Sequence, residues 1–222
     1  MSIAENIHRI NAELAGSAAR LCVVTKTHPI ELLQEAYAAN ARIFGENRPQ
    51  EMAAKHPLLP TDVEWHLIGQ LQTNKVKLLA SFVHTIQSID SLKLLKEIDK
   101  HATTNHRVIN GLLQFHIAAE ETKSGLTLPE AEEILASAEF QSLRNVRLTG
   151  VMGVATFTAD RDQLRGEFQR LHGYFDHLKA TYFAESPAFC DISMGMSGDY
   201  ALAVAEGSTL VRVGSAIFGS RG

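Results

Sequence analysis

Short apolar runs alternate with amphipathic stretches along the whole chain. The first stretch, residues 2–15, places isoleucine and leucine at steps of three and four, a spacing that predicts a helix with one apolar face. Runs rich in β-branched and aromatic residues predict eight strands, at 21–26, 41–47, 63–69, 83–89, 108–117, 146–154, 188–195 and 210–219. Helical patterns separate the strands, and the last of them, SGDYALAVAEG, ends in the glycine that commonly terminates a helix.

Strict alternation of strand and helix indicates parallel pairing of the strands. Eight such units fit a closed barrel of about 200 to 250 residues, and the chain has 222. An open doubly wound sheet is the alternative, although eight units in one row would make it wide. Few residues follow the last strand, so we expect the eighth helix to be absent and the first helix to cover the gap. The predicted fold is α/β: a single (β/α)8 TIM-type barrel over residues 1–222, with an extra N-terminal helix.

Composition and charge narrow the function classes. The formal net charge is −4 and no basic run or stripe is present, so we expect no nucleic-acid partner. No window approaches the roughly 18 apolar residues of a membrane span, and the first residues lack the pattern of a secretion signal. Cys22 and Cys190 belong to no C-x-x-C pair, which argues against a disulfide framework or a thiolate metal site. These features predict a cytoplasmic protein without a membrane partner.

Polar residues at the strand ends are the first candidates for chemistry, because the functional groups of such a barrel lie at the carboxyl ends of its strands. The first predicted strand ends at Lys26. A lysine there either meets solvent or, when partly desolvated, acts as a nucleophilic amine that forms a Schiff base. The second strand ends at Glu46 and Asn47, which by default are caps of the following helix.

His66, in the third predicted strand, is the candidate metal ligand. No second histidine stands at metal-ligand spacing from it, and no carboxylate pairs with it in the sequence. A lone histidine in a strand is more often a hydrogen-bonded core residue than a member of a zinc site. We therefore expect no metal site.

The strongest local signal lies in the turns after the last two strands. The seventh strand runs into Ser193-Met194-Gly195-Met196-Ser197-Gly198-Asp199, and the eighth carries Arg212-Val213-Gly214-Ser215. Small, glycine-rich turns at this place in a barrel commonly bind phosphate through backbone N–H groups and hydroxyls. Each turn taken alone is better explained as an ordinary tight turn with a serine cap.

Taken together, these residues predict a ligand. One barrel mouth would bring together the amine of Lys26, the amide of Asn47, the guanidinium of Arg212 and two phosphate-type turns. These are the groups that would bind a phosphorylated aldehyde such as pyridoxal 5′-phosphate (PLP). PLP enzymes that generate carbanions commonly place a carboxylate against the pyridine nitrogen. An arginine there would leave that nitrogen unprotonated and weaken the ring as an electron sink.

Six motifs stand in order along the chain: VVTKTHP (23–29), FGENRPQE (44–51), WHLIGQLQTNK (65–75), SIDS (88–91), ETKSGL (121–126) and SMGMSGDYALAVAEGSTLVRVGSAIFGSR (193–221). In these motifs the chain resembles the pyridoxal phosphate homeostasis proteins, which are related to the N-terminal barrel of alanine racemase. The resemblance covers essentially the whole chain.

The resemblance implies a (β/α)8 barrel that binds PLP, has no established turnover and helps to keep free PLP in balance. Implied partners are PLP, other B6 vitamers and apo-enzymes that receive PLP transiently. Matched motif by motif, Lys26 would be the Schiff-base lysine and Asn47 would lie near the cofactor. Met196 would line the pocket and Arg212 would face the pyridine nitrogen. The phosphate would be held by Ser197, Gly214 and Ser215.

The chain departs from the family pattern at three places. His28 stands where members often carry a second lysine, so a relay of PLP through that lysine would be altered or lost, while Lys123 remains. Ser215 replaces a common threonine and keeps the hydroxyl. The sequence stops at Arg221-Gly222 without the short basic tail of some relatives.

Two other functions stay open. A PLP-dependent racemase needs a second acid or base on the cofactor face opposite the lysine. In alanine racemase this group is a tyrosine from a separate C-terminal domain, whereas the tyrosines here fall in helical patterns or at helix starts, at 37, 174, 182 and 200. We therefore expect no dedicated enzyme, with weak racemase-like activity as the alternative. The other hypothesis is a regulatory module that uses PLP as a signal or cargo.

Overall fold

Eight strands and nine α-helices are present in the part of the chain that the computed structural model describes, residues 1–119 and 124–219. The strands are β1 (Arg20–Val24), β2 (Ile43–Glu46), β3 (Glu64–Leu67), β4 (Thr85–Ile89), β5 (Ile109–Phe115), β6 (Val146–Gly153), β7 (Asp191–Ser193) and β8 (Leu210–Val213). The helices are α1 (Ile3–Leu14), α2 (Ile30–Ala38), α3 (Pro49–Lys55), α4 (Leu92–Thr104), α5 (Leu128–Ala136), α6 (Ala138–Ser142), α7 (Arg161–Tyr182), α8 (Tyr200–Ala205) and α9 (Ser215–Phe218). Short 3-10 helices span His56–Leu58 and Thr73–Leu78.

Each strand pairs in parallel with the next, and β8 pairs with β1, so the sheet closes into a barrel. In the register of this closure, Val23 of β1 lies beside Phe44 of β2 on one side and Val213 of β8 on the other. Closure leaves no free edge and gathers all eight carboxyl strand ends at one mouth. The predicted (β/α)8 barrel is confirmed, and the open sheet is excluded.

The strands are shorter than the apolar runs that predicted them, and the last run is partly wrong. Strand β8 ends at Val213, and residues predicted as its second half form α9. The chain leaves the strand at Gly214, where a Cβ would lie 3.1 Å from the carbonyl oxygen of Val24. The expected absence of an eighth helix is therefore wrong: one helical turn is present.

The predicted first helix is confirmed as α1. Its N-terminus is closed by a capping box in which the Ser2 hydroxyl accepts from the N–H of Glu5 and the Glu5 carboxylate accepts from that of Ser2. Ile7, Ile10 and Leu14 form its buried face. The helix contacts α2 and α9, and Asn6 Nδ2 donates to the carbonyl oxygen of Ile217 at 2.9 Å. Thus α1 completes the helical layer around the short α9.

Several buried polar side chains lie inside the barrel. Trp65 of β3 packs against Phe44, with ring centroids 6.0 Å apart. Because side chains alternate along a strand, its neighbour His66 faces the opposite side and contacts Gln87 of β4. Gln87 and Arg212 are likewise buried. No helix among residues 1–119 and 124–219 has the length and apolar character that crossing a bilayer requires.

Candidate functional site

One cavity of about 720 Å³ lies at the carboxyl ends of the strands. All seven residues predicted for the cofactor site line it: Lys26, Asn47, Met196, Ser197, Arg212, Gly214 and Ser215. His28, Ile68, Thr156, Phe157 and Asp199 also contribute to its wall. The structure thus brings the predicted set together, while the role of each residue stays a prediction.

Lys26 lies in the turn after β1, two residues beyond the strand end. Its turn is held on both sides: the buried Thr25 hydroxyl donates to Glu46 Oε1 at 2.7 Å, and the N–H of Thr27 donates to Glu51 Oε1 at 2.5 Å. Thr27 has a φ of 66°, which is unfavourable for a β-branched residue. The hydrogen bond from its N–H to Glu51 helps to hold this conformation.

A buried ion cluster supports that turn, and the sequence analysis missed it. Lys55 Nζ lies 2.7 Å from Glu46 Oε1, 2.7 Å from Glu51 Oε1 and 2.8 Å from the carbonyl oxygen of Thr25. Burial raises the pKa of the Glu46 carboxyl, while Lys55 and Thr25 act in the opposite direction. Burial also acts to raise the pKa of Glu51, but Lys55 and the N–H of Thr27 lower it.

The interpretation of Glu46 as a helix cap is wrong, because its side chain turns to Thr25 and Lys55 and no side chain caps α3. The sequence did carry a signal for the cluster. Lys55 stands three residues after the buried Met52 of α3, on the face that the helix buries, and four residues after Glu51. A lysine at such a position needs a buried partner.

Asn47 is positioned by Gly69, which follows β3. A Cβ on Gly69 would lie 2.4 Å from the carbonyl oxygen of Asn47, so the two loops approach as closely as only glycine permits. The Gly69 carbonyl accepts from Ser88 Oγ at 2.7 Å, which fixes this loop to β4.

The turns after β7 and β8 are joined through Ser197. Its hydroxyl oxygen accepts from the N–H of Gly214 at 3.2 Å and from that of Ala216 at 3.3 Å. The N–H of Met196 donates to Asp199 Oδ1 at 2.5 Å, which closes the first turn on itself. Small residues, hydroxyls and backbone N–H groups therefore converge, and a phosphate oxygen would take the place of the Ser197 hydroxyl as their acceptor.

Arg212 is buried below these turns. It donates to Ser193 Oγ at 2.6 Å, to the Ser193 carbonyl at 2.8 Å and to the Gly153 carbonyl at 2.9 Å. Burial lowers the pKa of its guanidinium to about 10, so the group remains protonated at neutral pH. The chain of contacts continues from Ser193 Oγ to Gln87 Oε1 at 2.6 Å and from Gln87 Nε2 to His66 Nδ1 at 2.8 Å.

Glu167 of α7 is a second residue that the sequence analysis missed. Its carboxylate accepts from the N–H of Thr156 at 2.6 Å, from the Thr156 hydroxyl at 2.6 Å and from Gln163 Nε2 at 3.1 Å. Burial acts to raise the pKa of Glu167, but these donors lower it. Glu167 occupies a helix position between the buried Leu164 and Leu171 where the apolar periodicity calls for a hydrophobic residue, and that was the available signal.

The cavity mouth carries exposed apolar side chains. Phe157 is 96% exposed and Met196 is 36% exposed. The ring of His28 packs 4.3 Å from that of Phe218. Lys123 and the terminal Arg221-Gly222 lie outside the described residues.

The structure brings two further ligand-type side chains to His66, which the sequence analysis did not identify. His84, which directly precedes β4, and Glu64, two residues before His66, place ligand atoms within 4.8 Å of one another and of His66. The spacing in the sequence did not reveal them, because neighbouring strands of the barrel bring His84 and His66 together.

Comparisons with known proteins agree with this architecture. The chain matches the alanine racemase N-terminal domain family over residues 1–222. The pyridoxal phosphate homeostasis protein of Aquifex aeolicus is 38% identical over 207 residues, which cover 92% of this chain and 88% of that protein. The structure of PipY from Synechococcus elongatus with PLP bound is 32% identical, with a TM-score of 0.88 over 98% of this chain and 100% of that chain.

Alanine racemase of Clostridium difficile is only 14% identical, with a TM-score of 0.78 over 99% of this chain and 57% of its own, so this likeness shows the fold alone. The family match and the similarity to curated relatives over nine tenths of the chain are more specific. The chain belongs to the pyridoxal phosphate homeostasis proteins, a family built on the alanine racemase N-terminal domain.

Proposed function

We propose that this protein binds PLP in the cavity at the carboxyl ends of its strands and serves to keep free PLP in balance. The observation that carries the proposal is the convergence of Lys26, the Ser197–Gly214 turns and Arg212 on one cavity. The relatives support it: one is named for pyridoxal phosphate homeostasis, and PipY was solved with PLP bound.

The donor set fits the three parts of the cofactor. When bound, PLP supplies an aldehyde that condenses reversibly with a primary amine. Lys26 provides that amine from a partly buried turn that lines the cavity. Ser197, Gly214 and Ser215 provide hydroxyl and N–H donors for a phosphate dianion.

Arg212 sets the electronic character of the site. A guanidinium with a pKa of about 10 keeps its proton at neutral pH and presents only donors. Placed against the ring nitrogen of PLP, it would stabilise that nitrogen without a proton, and the ring would be a weaker electron sink than beside a carboxylate. This arrangement favours holding PLP over catalysis with it.

The residues of the cavity wall also favour a PLP carrier over a racemase. Its titratable side chains in the described part of the chain are those of Lys26, His28, Asp199 and Arg212, and no tyrosine is among them. A racemase needs a second proton-transferring group opposite the lysine. We therefore favour a carrier that exchanges PLP and other B6 vitamers with apo-enzymes over a dedicated racemase.

Visible spectroscopy with borohydride reduction tests the proposal. The purified protein, loaded with PLP, should absorb in the visible range, and reduction should fix a pyridoxyl group that peptide mapping finds on Lys26. A protein that stays colourless after addition of PLP would contradict the cofactor assignment. A sensitive assay of deuterium exchange at Cα of alanine separates carrier from racemase, because turnover at enzymatic rates would contradict the carrier role alone.

A further inference from the structure

A polar cluster lies at the opposite end of the barrel, where the strands begin. Glu64 opens β3 and His66 stands two residues later, so their side chains share one face of the strand. His84 directly precedes β4, and its N–H donates to the carbonyl oxygen of Trp65 at 2.9 Å. The β3–β4 register, which sets His66 beside Thr85, thus carries His84 to the cluster.

The three side chains are spaced almost as ligands of one ion. Glu64 Oε2 lies 3.9 Å from His66 Nε2 and 3.7 Å from His84 Nδ1. Ligand atoms about 2.1 Å from a tetrahedral Zn²⁺ are roughly 3.4 Å apart. The planes of the His66 and His84 rings are nearly parallel, at 3° to each other. One ring must therefore turn before the nitrogen lone pairs of both histidines can point at one ion. The side chain of His84 is 41% exposed, and its turn would exchange the 2.9 Å contact of Nδ1 with Thr85 Oγ1 for the ion.

Two atoms of the cluster are buried without a hydrogen-bond partner, namely His66 Nε2 and Glu64 Oε2. His66 is 2% exposed, and its Nε2 faces Glu64 at a distance too long for a direct hydrogen bond. Buried polar atoms almost always have partners, so a donor set with two unpartnered atoms directed at each other indicates a ligand between them.

A cavity of about 420 Å³ adjoins the cluster and is lined by both histidines. It gives an ion a way in and gives water room to complete the coordination. Arg20 lines the same cavity, but Asp191 pairs with it at 2.6 Å and offsets its charge. The Glu64 carboxylate then leaves the cluster favourable to a cation.

Gln87 can orient His66 for this role. Its Nε2 lies 2.8 Å from His66 Nδ1, and a half-turn of the amide would put Oε1 there instead. Nδ1 would then donate to Gln87, which leaves the Nε2 lone pair for the ion, as in metal sites whose histidines are held by an outer partner. Ser193 Oγ has two lone pairs, so it can accept from Arg212 and from the turned amide together.

We propose that Glu64, His66 and His84 bind a divalent transition-metal ion of the Zn²⁺ type, with water completing its coordination. Two imidazoles and a carboxylate are a donor set that Zn²⁺ uses when one position stays open to water. Mg²⁺ and Ca²⁺ prefer all-oxygen sites and should not compete. The site lies across the barrel from the cofactor cavity and does not depend on PLP.

Titration with Co²⁺ and Zn²⁺ tests the site. Protein without a histidine tag, stripped of metal by chelator, should bind one equivalent of Co²⁺ with visible absorption, and Zn²⁺ should displace it. Glu64→Gln and His84→Ala should each weaken binding by more than about tenfold. His101→Ala is the matched control, because His101 also faces a carboxylate, Glu97, at 2.9 Å but lies on α4, and it should bind as the wild type does.

Three results would overturn the site: no saturable one-equivalent binding, unchanged affinity in Glu64→Gln and His84→Ala, or binding that appears only in the PLP-loaded protein. The last outcome would put the ion on the cofactor, so stripped and PLP-loaded protein are titrated side by side. Thermal melts establish that each variant is folded. If His84→Ala does not fold, the metal affinity of Glu64→Gln, which keeps the shape of the side chain, decides whether the site binds the ion.

Discussion

Lys55 Nζ lies 2.8 Å from the carbonyl oxygen of Thr25, the residue directly before Lys26. The same ammonium group pairs with two carboxylates, the buried Glu46 and the partly buried Glu51. The position of the candidate cofactor lysine is therefore set by a charge cluster behind it. Because the ions of such a cluster are shielded from water, the loss of one partner leaves the others uncompensated.

Substitution Lys55→Met should destabilise the protein strongly. Breaking a buried ion pair by removing one partner costs about 3–5 kcal/mol in the free energy of unfolding. Urea unfolding measures the change. The control is Lys100→Met, which removes an exposed lysine paired with Glu97 and should alter stability by less than about 0.5 kcal/mol. Equal effects of the two substitutions would show that the buried cluster is not what holds the Lys26 turn.

Substitution Lys26→Ala should abolish covalent attachment of PLP and leave weaker binding through the phosphate turns. The donors of Ser197, Gly214 and Ser215 do not depend on the amine. Absorption spectra and equilibrium dialysis with PLP measure the two effects separately. Lys96→Ala, which removes an exposed lysine of α4, is the control and should behave as the wild type. A pyridoxyl adduct that persists after reduction of Lys26→Ala would place the attachment elsewhere.

Substitution Glu167→Gln should loosen the loop that carries Thr156 and Phe157 into the cavity wall. Hydrogen bonds to a charged acceptor contribute about 1.5–3 kcal/mol, and the amide offers one weaker acceptor oxygen where the carboxylate accepts from three donors. We expect a loss of that order at pH 7, measured by urea unfolding, and weaker PLP binding. Glu133→Gln, which changes an exposed residue of α5, should have little effect.

The difference between wild type and Glu167→Gln should depend on pH. The folded-state pKa of Glu167 lies below its ordinary value, so the stabilisation is present above the pKa of the unfolded chain, about 4.3. It is lost as the pH falls through the folded-state pKa. The two unfolding curves should therefore converge in acid. A difference that stays constant from pH 7 into that range would show that the charge of Glu167 is not the cause.

Substitution Gly69→Ala should disturb the loop of Asn47. The added methyl group would meet the Asn47 carbonyl oxygen at 2.4 Å, and neither backbone can yield without moving its loop. Such overpacking costs about 1–3 kcal/mol, and PLP binding should weaken with it. Gly173→Ala, in the middle of α7 with nothing within 4 Å, should instead stabilise by about 0.5–1 kcal/mol. Thermal unfolding of both variants provides the comparison.

The amino-acid sequence by itself determined the order of the elements and the composition of the candidate cofactor site. Apolar periodicity is a local property, so eight strands and the helix α1 could be predicted from it. Once a parallel barrel is predicted, its topology places every strand end at one mouth, and Lys26, Asn47 and Arg212 follow as neighbours. The ends of the strands could not be predicted as closely. The residues of α9 were predicted as strand because an apolar run that contains a glycine turn has the same pattern as a continuing strand.

Only the tertiary structure decided which polar groups pair across elements. Lys55 pairs with Glu46, Thr156 donates to Glu167, and His66 lies close to His84. Each contact forms because separate helices, strands and loops pack together. These contacts depend on the strand register and on the rotation of each helix about its own axis. The spacing of residues along the chain determines neither of them. A one-residue change of strand register would turn Glu46 and His66 to the other face of the sheet, so these contacts belong to the fold as a whole.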